Sequence, residues 1–491
     1  MKRSLNRLRW AVLGGYTVAG LTWLGWRLTT VDGPWVLWCA LFFLAELFLF
    51  TSSLAFDHVM ACEPDAEPVP GPPQSLSVAV LITAYNEPVD LIEQTLRHAL
   101  ALRGASEVVL CDDGKRDELE ALAGQLGASY LRRPDNRHYK AGNLNHALGN
   151  TRSDAVLVLD ADHVAEPHLL ERLVPHLTDG VAFVQSPQVY RNTDSFQHGR
   201  GGWHESTLFH HRLQRGAGAL GCCVCVGTGV LFDRAALECG GGFATETVTE
   251  DIHTSLRLHA LGYRSVYVHE VLGTLLAPDT AHAYATQRLR WTQGAMQVLR
   301  SDNPLWRKGL SSQQRTVYLW ALGSFLQGWP TLLLVLAPAV FVLLGAAPLH
   351  ADARVAVPLV VAHVVFDVAL FVSLAGRDAR LFAAERLRMI NLPIWLRGSL
   401  LLVAPRALRF AVTPKAGSGR TPLWLTVPLV ALFLVQVATV GLAAWRVVTE
   451  HPAWLSNALA GGLALWFAVA AAGALVHLAR AGRGTTTATA G

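Results

Sequence analysis

Two kinds of sequence alternate along this chain, and that alternation limits its fold more than any single motif does. Residues 11–28 and 34–55 are apolar runs, each long enough to cross a hydrocarbon layer of about 30 Å as a helix. Residues 77–310 then mix short apolar runs with charged, Gly-punctuated stretches, the pattern of a water-exposed α/β domain. After residue 316 the apolar character returns. The run 316–349 is too long for one simple span and reads as an interfacial start followed by a helix from about Trp329; further spans are expected near 354–375, 422–446 and 454–479. With 52% hydrophobic residues, 16% charged residues and 15 Trp, the 491-residue chain is too apolar for an ordinary soluble protein. The expected division is a two-helix membrane region over 1–60, a cytoplasmic domain over 61–310, a membrane region of about four helices over 311–480 with an interfacial helix and a loop at 376–421, and a tail over 481–491.

Even numbers of spans on both sides of the domain put the N-terminus, the domain and the tail on one side. Lys2, Arg3, Arg7 and Arg9 precede the first span, and the 376–421 loop carries Arg377, Arg380, Arg386, Arg388, Arg397, Arg406, Arg409, Lys415 and Arg420. Short loops rich in Lys and Arg stay cytoplasmic, so the chain is expected to cross the plasma (inner) membrane several times with its domain in the cytoplasm. A second span follows the first at once and no small-residue cleavage site intervenes, which argues against a cleaved signal peptide. Membrane orientation and a nucleotide-diphosphate ligand account for the net charge of +4 without nucleic acid. The seven cysteines fall in spans, linker or cytoplasmic domain, where disulfides are not expected. Cys222 and Cys225 have zinc-like spacing, but no second pair completes a site.

Residues 77–83 (SVAVLIT) form a continuous apolar run suited to a strand buried on both faces, and they lead into Tyr85-Asn86-Glu87 and a helical pattern over 89–102. Ligands settle at the carboxyl ends of parallel strands, so this strand-loop-helix unit is a nucleotide-site candidate. The next strand, 107–111, ends in Asp112-Asp113-Gly114, read either as a second wall of that crevice or as a turn capping the next helix. A third strand, 155–159, runs into Asp160-Ala161-Asp162-His163. Two carboxylates at a strand end suit a divalent cation held against a diphosphate, and equally a solvated turn. Lys140, in the run KAGNLN, is a cation for the same crevice or an ordinary helix-start lysine.

Thr249-Glu250-Asp251 opens a helix after a Gly-rich turn. Asp251 can serve as the base that an inverting sugar transfer needs, or as a carboxylate paired with the helix dipole. Gln287, Arg288, Arg290 and Trp291 combine guanidinium groups suited to phosphate with an aromatic face suited to sugar; lipid headgroups would attract the same residues.

Taken in order, YNE at 85–87, DDG at 112–114, KAGNLN at 140–145, DADH at 160–163, TVTEDIHTSLRLHALGY at 247–263 and QRLRWTQGAMQ at 287–297 resemble the bacterial cellulose synthase catalytic subunits, which are processive family-2 glycosyltransferases. Phe410 to Lys415 (FAVTPK) resembles that family's gating-loop motif. The resemblance implies an α/β GT-A-type, Rossmann-like cytoplasmic glycosyltransferase domain inserted in an α-helical transmembrane bundle. It implies that Tyr85, Glu87, Asp112 or Asp113, and Lys140 hold the uridine end of a UDP-sugar. Asp160 and Asp162 would bind the diphosphate with Mg2+ or Mn2+, beside His163. Asp251 would be the general base, with Asp113 and Asp162 completing the catalytic carboxylates. Gln287, Arg288, Arg290 and Trp291 would meet the diphosphate and the growing chain, and Phe410, Thr413 and Lys415 would close over the nucleotide.

The implied activity is inverting polymerisation of a UDP-sugar, UDP-glucose first, into a β-glucan such as cellulose, with translocation across the membrane. Related alternatives use UDP-N-acetylglucosamine, make a β-1,3 or mixed linkage, or transfer one sugar to a lipid carrier. Implied partners are the UDP-sugar donor, the polysaccharide acceptor, membrane lipids and an accessory secretion subunit. Where the family has an FFCGS-like stretch near the acceptor's terminal sugar, this chain has Val224 to Thr228 (VCVGT), so Val226 and Thr228, with Glu250 and Trp291, are the expected acceptor contacts. About a dozen residues follow the last span, too few for the cyclic-di-GMP-binding barrel of many relatives, so that domain is not expected here. Trp320, Trp329 and Trp395 are candidates for sugar-stacking walls or for the lipid interface.

Overall fold

The computed structural model describes residues 2–64, 66–72, 75–199, 203–405, 420–450 and 453–481. The chain opens with α1 (Lys2–Leu28) and α2 (Val36–Ala61). The domain begins with β1 (Val78–Ala84), α3 (Val89–Leu100), β2 (Glu107–Asp112), α4 (Asp117–Leu126), β3 (Ser129–Leu131), α5 (Tyr139–Asn150) and β4 (Ala155–Asp160). It continues through β5 (Val164–Ala165), α6 (Leu169–Leu173), β6 (Val181–Gln185), α7 (Gln214–Ala219), β7 (Val230–Asp233), α8 (Arg234–Cys239), α9 (Glu250–Ala260), β8 (Arg264–Tyr267), β9 (Gly273–Thr274) and α10 (Ala281–Ser301). The remaining helices are α11 (Ser312–Gly323), α12 (Gly328–Leu344), α13 (Ala353–Ala375), α14 (Leu381–Ser399), α15 (Leu423–Thr449) and α16 (Trp454–Ala481).

Seven strands form one mixed sheet in the order β3-β2-β1-β4-β7-β6-β8, and β5 and β9 pair separately. β1 is buried on both faces, as a continuous Val/Ile/Leu run requires. Ala79 and Leu81 enter one apolar cluster, while Val78, Val80 and Ile82 enter the other. Register sets where the motifs emerge. Thr83 of β1 lies opposite Cys111 of β2 and Asp160 of β4, so three parallel strands end level with one another. Tyr85, Asp113 and Asp160 to Asp162 thus open onto a single edge, the carboxyl edge where α/β sheets take ligands. The antiparallel β5–β9 pair then brings residues 273–276 back beside this edge.

Among the described residues, five helical stretches are long and apolar enough to cross a membrane: Val36–Ala61, Ser312–Leu344, Arg354–Asp378, Leu423–Thr449 and Trp454–Arg480. The second includes α11 and α12, which are separated by a 3-10 turn at Ser324–Gln327. α1 covers the first expected span but is less apolar than these five. It nevertheless runs antiparallel along α2: Trp10 meets His58, Tyr16 meets Phe50, and Arg27 donates to Glu46 at 2.7 Å. Within the expected 376–421 loop, residues 381–399 form α14, which packs against α10, α12, α15 and α16. The gating-like segment with Phe410, Thr413 and Lys415 lies outside the described residues. The interface between domain and membrane half is apolar. Tyr284 and Ala285 of α10 share a cluster with Met389 and Ile390 of α14, Leu425 of α15 and Phe467 of α16.

Candidate active site

A cavity of about 290 Å³ opens at the carboxyl edge, walled by Tyr85, Glu87, Asp113, Tyr139, Lys140, Asp160, Asp162, Val226, Glu250, Asp251, Gln287, Arg290 and Trp291 among others. Fold and motif order thus bring most of the expected residues into one place. Among the described residues, three of those expected stand elsewhere.

Asp112 is fully buried behind the wall. Its oxygens accept from the Gly114 and Arg116 amides, both at 2.8 Å, and from the Tyr130 hydroxyl at 3.1 Å, so it holds its own turn together. Thr228 is also buried: its hydroxyl accepts from the Asp160 amide at 2.9 Å and meets His163 Nδ1 at 2.8 Å. A hydroxyl that accepts from an amide has its proton left for Nδ1. That bond braces the Asp160–His163 turn from beneath. His163 is fully buried, and burial holds its imidazole down at about 4, hence neutral. Arg288 donates to Glu205 at 2.9 Å and lines a second cavity instead.

Asp113 reaches the cavity wall, but both of its oxygens receive hydrogen bonds from Arg133, at 2.6 and 2.7 Å. Arg133 also donates to the carbonyls of Arg137 and Tyr139, fastening a turn in which His138 and Tyr139 both have positive φ. Two successive non-glycine residues in that region are costly and need such fixing. The turn starts α5 and sets Lys140 in the cavity. Sequence reasoning missed Arg133, although it stands in a charged run (RRPDNR) just before KAGNLN.

The Lys140 ammonium donates to Asp160 Oδ1 at 2.5 Å and to the Gly227 carbonyl at 2.7 Å, and lies 3.8 Å from Glu250. Burial works against its charge, but Asp160 and Glu250 outweigh that and hold the ammonium above the usual lysine range. Glu250 and Asp251 begin α9. Burial and the neighbouring Asp251 charge push Glu250 up to about 7, against the pull of Lys140. Burial also raises Asp251, opposed by the Ile252 amide, Lys140 and Arg290. Gly227 is required where it stands. Its φ is +85°, and a Cβ there would lie 3.0 Å from Asp251 Oδ2.

Gln287, Arg290, Trp291 and Gly294 follow the i, i+3, i+4, i+7 spacing of one helical face, which explains why these positions of α10 can meet the site together. Gly294 lets α10 approach α9: a Cβ there would fall 2.4 Å from the Thr249 side chain. Gln287 Oε1, at the cavity wall, is buried without a hydrogen-bond partner among the described residues, an acceptor suited to an incoming donor group.

The donor set allows one mode of metal binding. Among the described residues no group of three His, Cys, Asp or Glu could hold a metal ion. Asp160 and Asp162 offer two carboxylates at the cavity wall, the arrangement in which Mg2+ is completed by substrate phosphate oxygens. The seven cysteines are free, and burial raises the Cys222, Cys223 and Cys225 thiols, so they are inert packing groups.

The second cavity, about 280 Å³, is walled by Tyr190, Glu205, Phe209, Val226, Asp251, Arg288, Trp291, Trp320 and Phe325 among others. Asp251, Trp291, Val226, Thr249, Gln188 and Tyr190 belong to both cavities. The carboxylate expected to be the base therefore stands at their junction. Of the other tryptophans considered, Trp329 donates to the Ser399 hydroxyl and Trp395 abuts Gly328. Glu205 carries no local sequence signal; only long-range folding brings it to Arg288.

Residues 72–294 match the family model described as Glycosyltransferase like family 2. Over 422 residues the chain is 34% identical to the cellulose synthase catalytic subunit (UDP-forming) of Pseudomonas fluorescens, covering 82% of this chain and 56% of that protein. It is 34% identical over 351 residues to cellulose synthase 1 of Komagataeibacter xylinus, covering 68% and 22% respectively. It is 36% identical over 304 residues to the cellulose synthase catalytic subunit of Xanthomonas axonopodis pv. citri, covering 59% and 41%. The chain spans between 22% and 56% of the length of these relatives. Its matches and its ordered motifs agree: the chain belongs to the cellulose synthase-like family-2 glycosyltransferases.

Proposed function

We propose that this protein is a processive, inverting hexosyltransferase that extends a β-glucan from UDP-glucose and passes it into the membrane half. The observation that carries this reading is the position of Asp251, at the junction of a charged cavity at the sheet edge and an aromatic cavity leading toward α11. A donor nucleotide suits the first and an acceptor sugar the second. The acceptor hydroxyl gives its proton to Asp251 while its oxygen bonds to the donor's anomeric carbon; the carbon's bond to UDP breaks on the opposite face, and UDP leaves with that electron pair. Burial raises Asp251, which makes it a stronger base than an exposed aspartate. Arg290 and Lys140 offset the diphosphate charge, while Asp113, held by Arg133, and Tyr85 frame the nucleoside end. Asp160 and Asp162 would hold Mg2+ or Mn2+, whose chemistry is to screen the charge developing on the leaving diphosphate.

The basic residues before α1 and around α14 support a cytoplasmic domain. The antiparallel packing of α1 along α2, from Trp10 to Arg27, supports two crossings within this stretch. The test uses purified protein in detergent with Mg2+ or Mn2+ and several radiolabelled UDP-sugars, followed by digestion with linkage-specific hydrolases. A labelled polymer from UDP-glucose that a β-1,4-glucanase degrades is expected. Polymer from UDP-N-acetylglucosamine alone, or none from any donor, would sink the glucan reading.

A further inference from the structure

One helix, α10, presents two overlapping stripes. Gln287, Arg290, Trp291 and Gly294 form the first; Tyr284, Arg288, Trp291 and Ala295, spaced i, i+4, i+7, i+11, form the second. Gln287 and Arg290 wall the sheet-edge cavity, Arg288 and Ala295 wall the aromatic one, and Trp291 alone belongs to both stripes and both cavities.

Arg288 is occupied on two sides. Its guanidinium lies 4.4 Å from the Trp291 ring centroid and 5.2 Å from that of Tyr284. One oxygen of Glu205 accepts from Arg288 at 2.9 Å, and the other accepts from the Tyr284 hydroxyl at 3.1 Å. Tyr284 OH in turn accepts from Asn391 of α14 at 2.8 Å. The indole is thus tied, through Arg288, Glu205 and Tyr284, to a helix of the membrane half. A guanidinium neutralised by a partly buried carboxylate and laid on an indole is poorly placed to receive phosphate.

We propose that Arg288 is a positioning residue for Trp291 on the acceptor side, fixed by Glu205, and takes no part in binding the donor phosphates. This rests on the glycosyltransferase reading above and divides the two arginines of the pentapeptide: Arg290 serves the donor, Arg288 the acceptor.

The test uses the full chain in detergent. Arg288→Met and Glu205→Gln are compared with Arg290→Lys, reading UDP affinity by competition against labelled UDP-glucose and KM for cellotetraose as acceptor. Arg288→Met and Glu205→Gln are expected to raise the cellotetraose KM about tenfold, with UDP affinity held within about twofold, whereas Arg290→Lys weakens UDP. The double variant Arg288→Met with Trp291→Phe is expected to be no worse in KM than Trp291→Phe alone, because both act through one ring. Loss of UDP affinity in Arg288→Met equal to that in Arg290→Lys would overturn the proposal, as would additive effects in the double variant. Glu205→Gln keeps the shape of the side chain and decides the matter if Arg288→Met fails to fold. Wild-type protein that binds UDP but neither forms polymer from UDP-glucose nor extends a glucan oligosaccharide would sink the glycosyltransferase reading and this assignment with it.

Discussion

The two cavities that meet at Asp251 are built by different means. The sheet-edge cavity is charged, and its wall comes from strand ends and helix starts: Asp113 after β2, Lys140 opening α5, Asp160 closing β4, and Glu250 and Asp251 opening α9. The second is mainly apolar and aromatic, and its wall comes from segments far apart in sequence, from Tyr190 through Phe209 to Trp291, Trp320 and Phe325. The first is a chemical device set by local backbone geometry. The second is a surface that exists only once the domain has docked on the membrane helices.

The sharpest way to break this division is to remove the carboxylate the cavities share. Asp251→Asn should lower turnover by on the order of 10²–10⁴-fold, the usual contribution of a positioned base, while UDP binding stays nearly intact. The measurement is polymer formed per unit protein, with UDP affinity taken separately; retained synthesis would remove Asp251 from the chemistry. Next in size is a purely donor-side change. Asp162→Asn should weaken UDP-glucose binding in the presence of Mg2+ or Mn2+ and should leave the metal-free affinity for uridine unchanged. Isothermal titration with and without EDTA checks this, and an equal loss in both conditions would argue for collapse of the turn instead. Smaller again is the acceptor-side counterpart. Trp320→Ala removes one aromatic wall and should cost about 0.5–1.5 kcal/mol, seen as a raised KM for cellotetraose with an unchanged KM for UDP-glucose. A change in donor KM would mean that the cavities are not separable.

The same division explains what could be read from the sequence. The sheet edge was legible because each of its motifs sits where a strand or helix changes state, and register alone aligns Thr83 with Cys111 and Asp160. Asp112 and Thr228 show the limit of that reading. Both occupy motif positions, yet Asp112 folds back on its own turn and Thr228 supports Asp160 and His163 from below, because adjacent residues leaving a strand point in different directions. Arg133 and Glu205 were invisible for another reason. Arg133 acts on carbonyls and a carboxylate that only a turn with two positive-φ residues gathers, and Glu205 meets an arginine 83 positions away. α1 also reads differently once packed: Arg27, a poor residue for a membrane helix by composition, is matched by Glu46 on the neighbouring helix.

The finest test concerns the two carboxylates at the start of α9. Glu250 is held at about 7, first by burial and then by the charge of Asp251, with Lys140 acting in the opposite sense. Such repulsion is mutual, so ionised Glu250 makes Asp251 more basic, and protonating Glu250 relieves it. As pH falls through about 7, protonation of Glu250 should therefore begin to lower the wild-type rate. In Glu250→Gln the like charge is gone at every pH. Asp251 then sheds its proton more readily, and the acid limb of the pH–rate profile should move to lower pH, with a modestly lower plateau because the base is weaker. Profiles of kcat for both proteins, taken at saturating UDP-glucose, decide this. An acid limb that stays where it was would show that Glu250 does not sense Asp251, and that the junction holds one titrating carboxylate instead of an interacting pair.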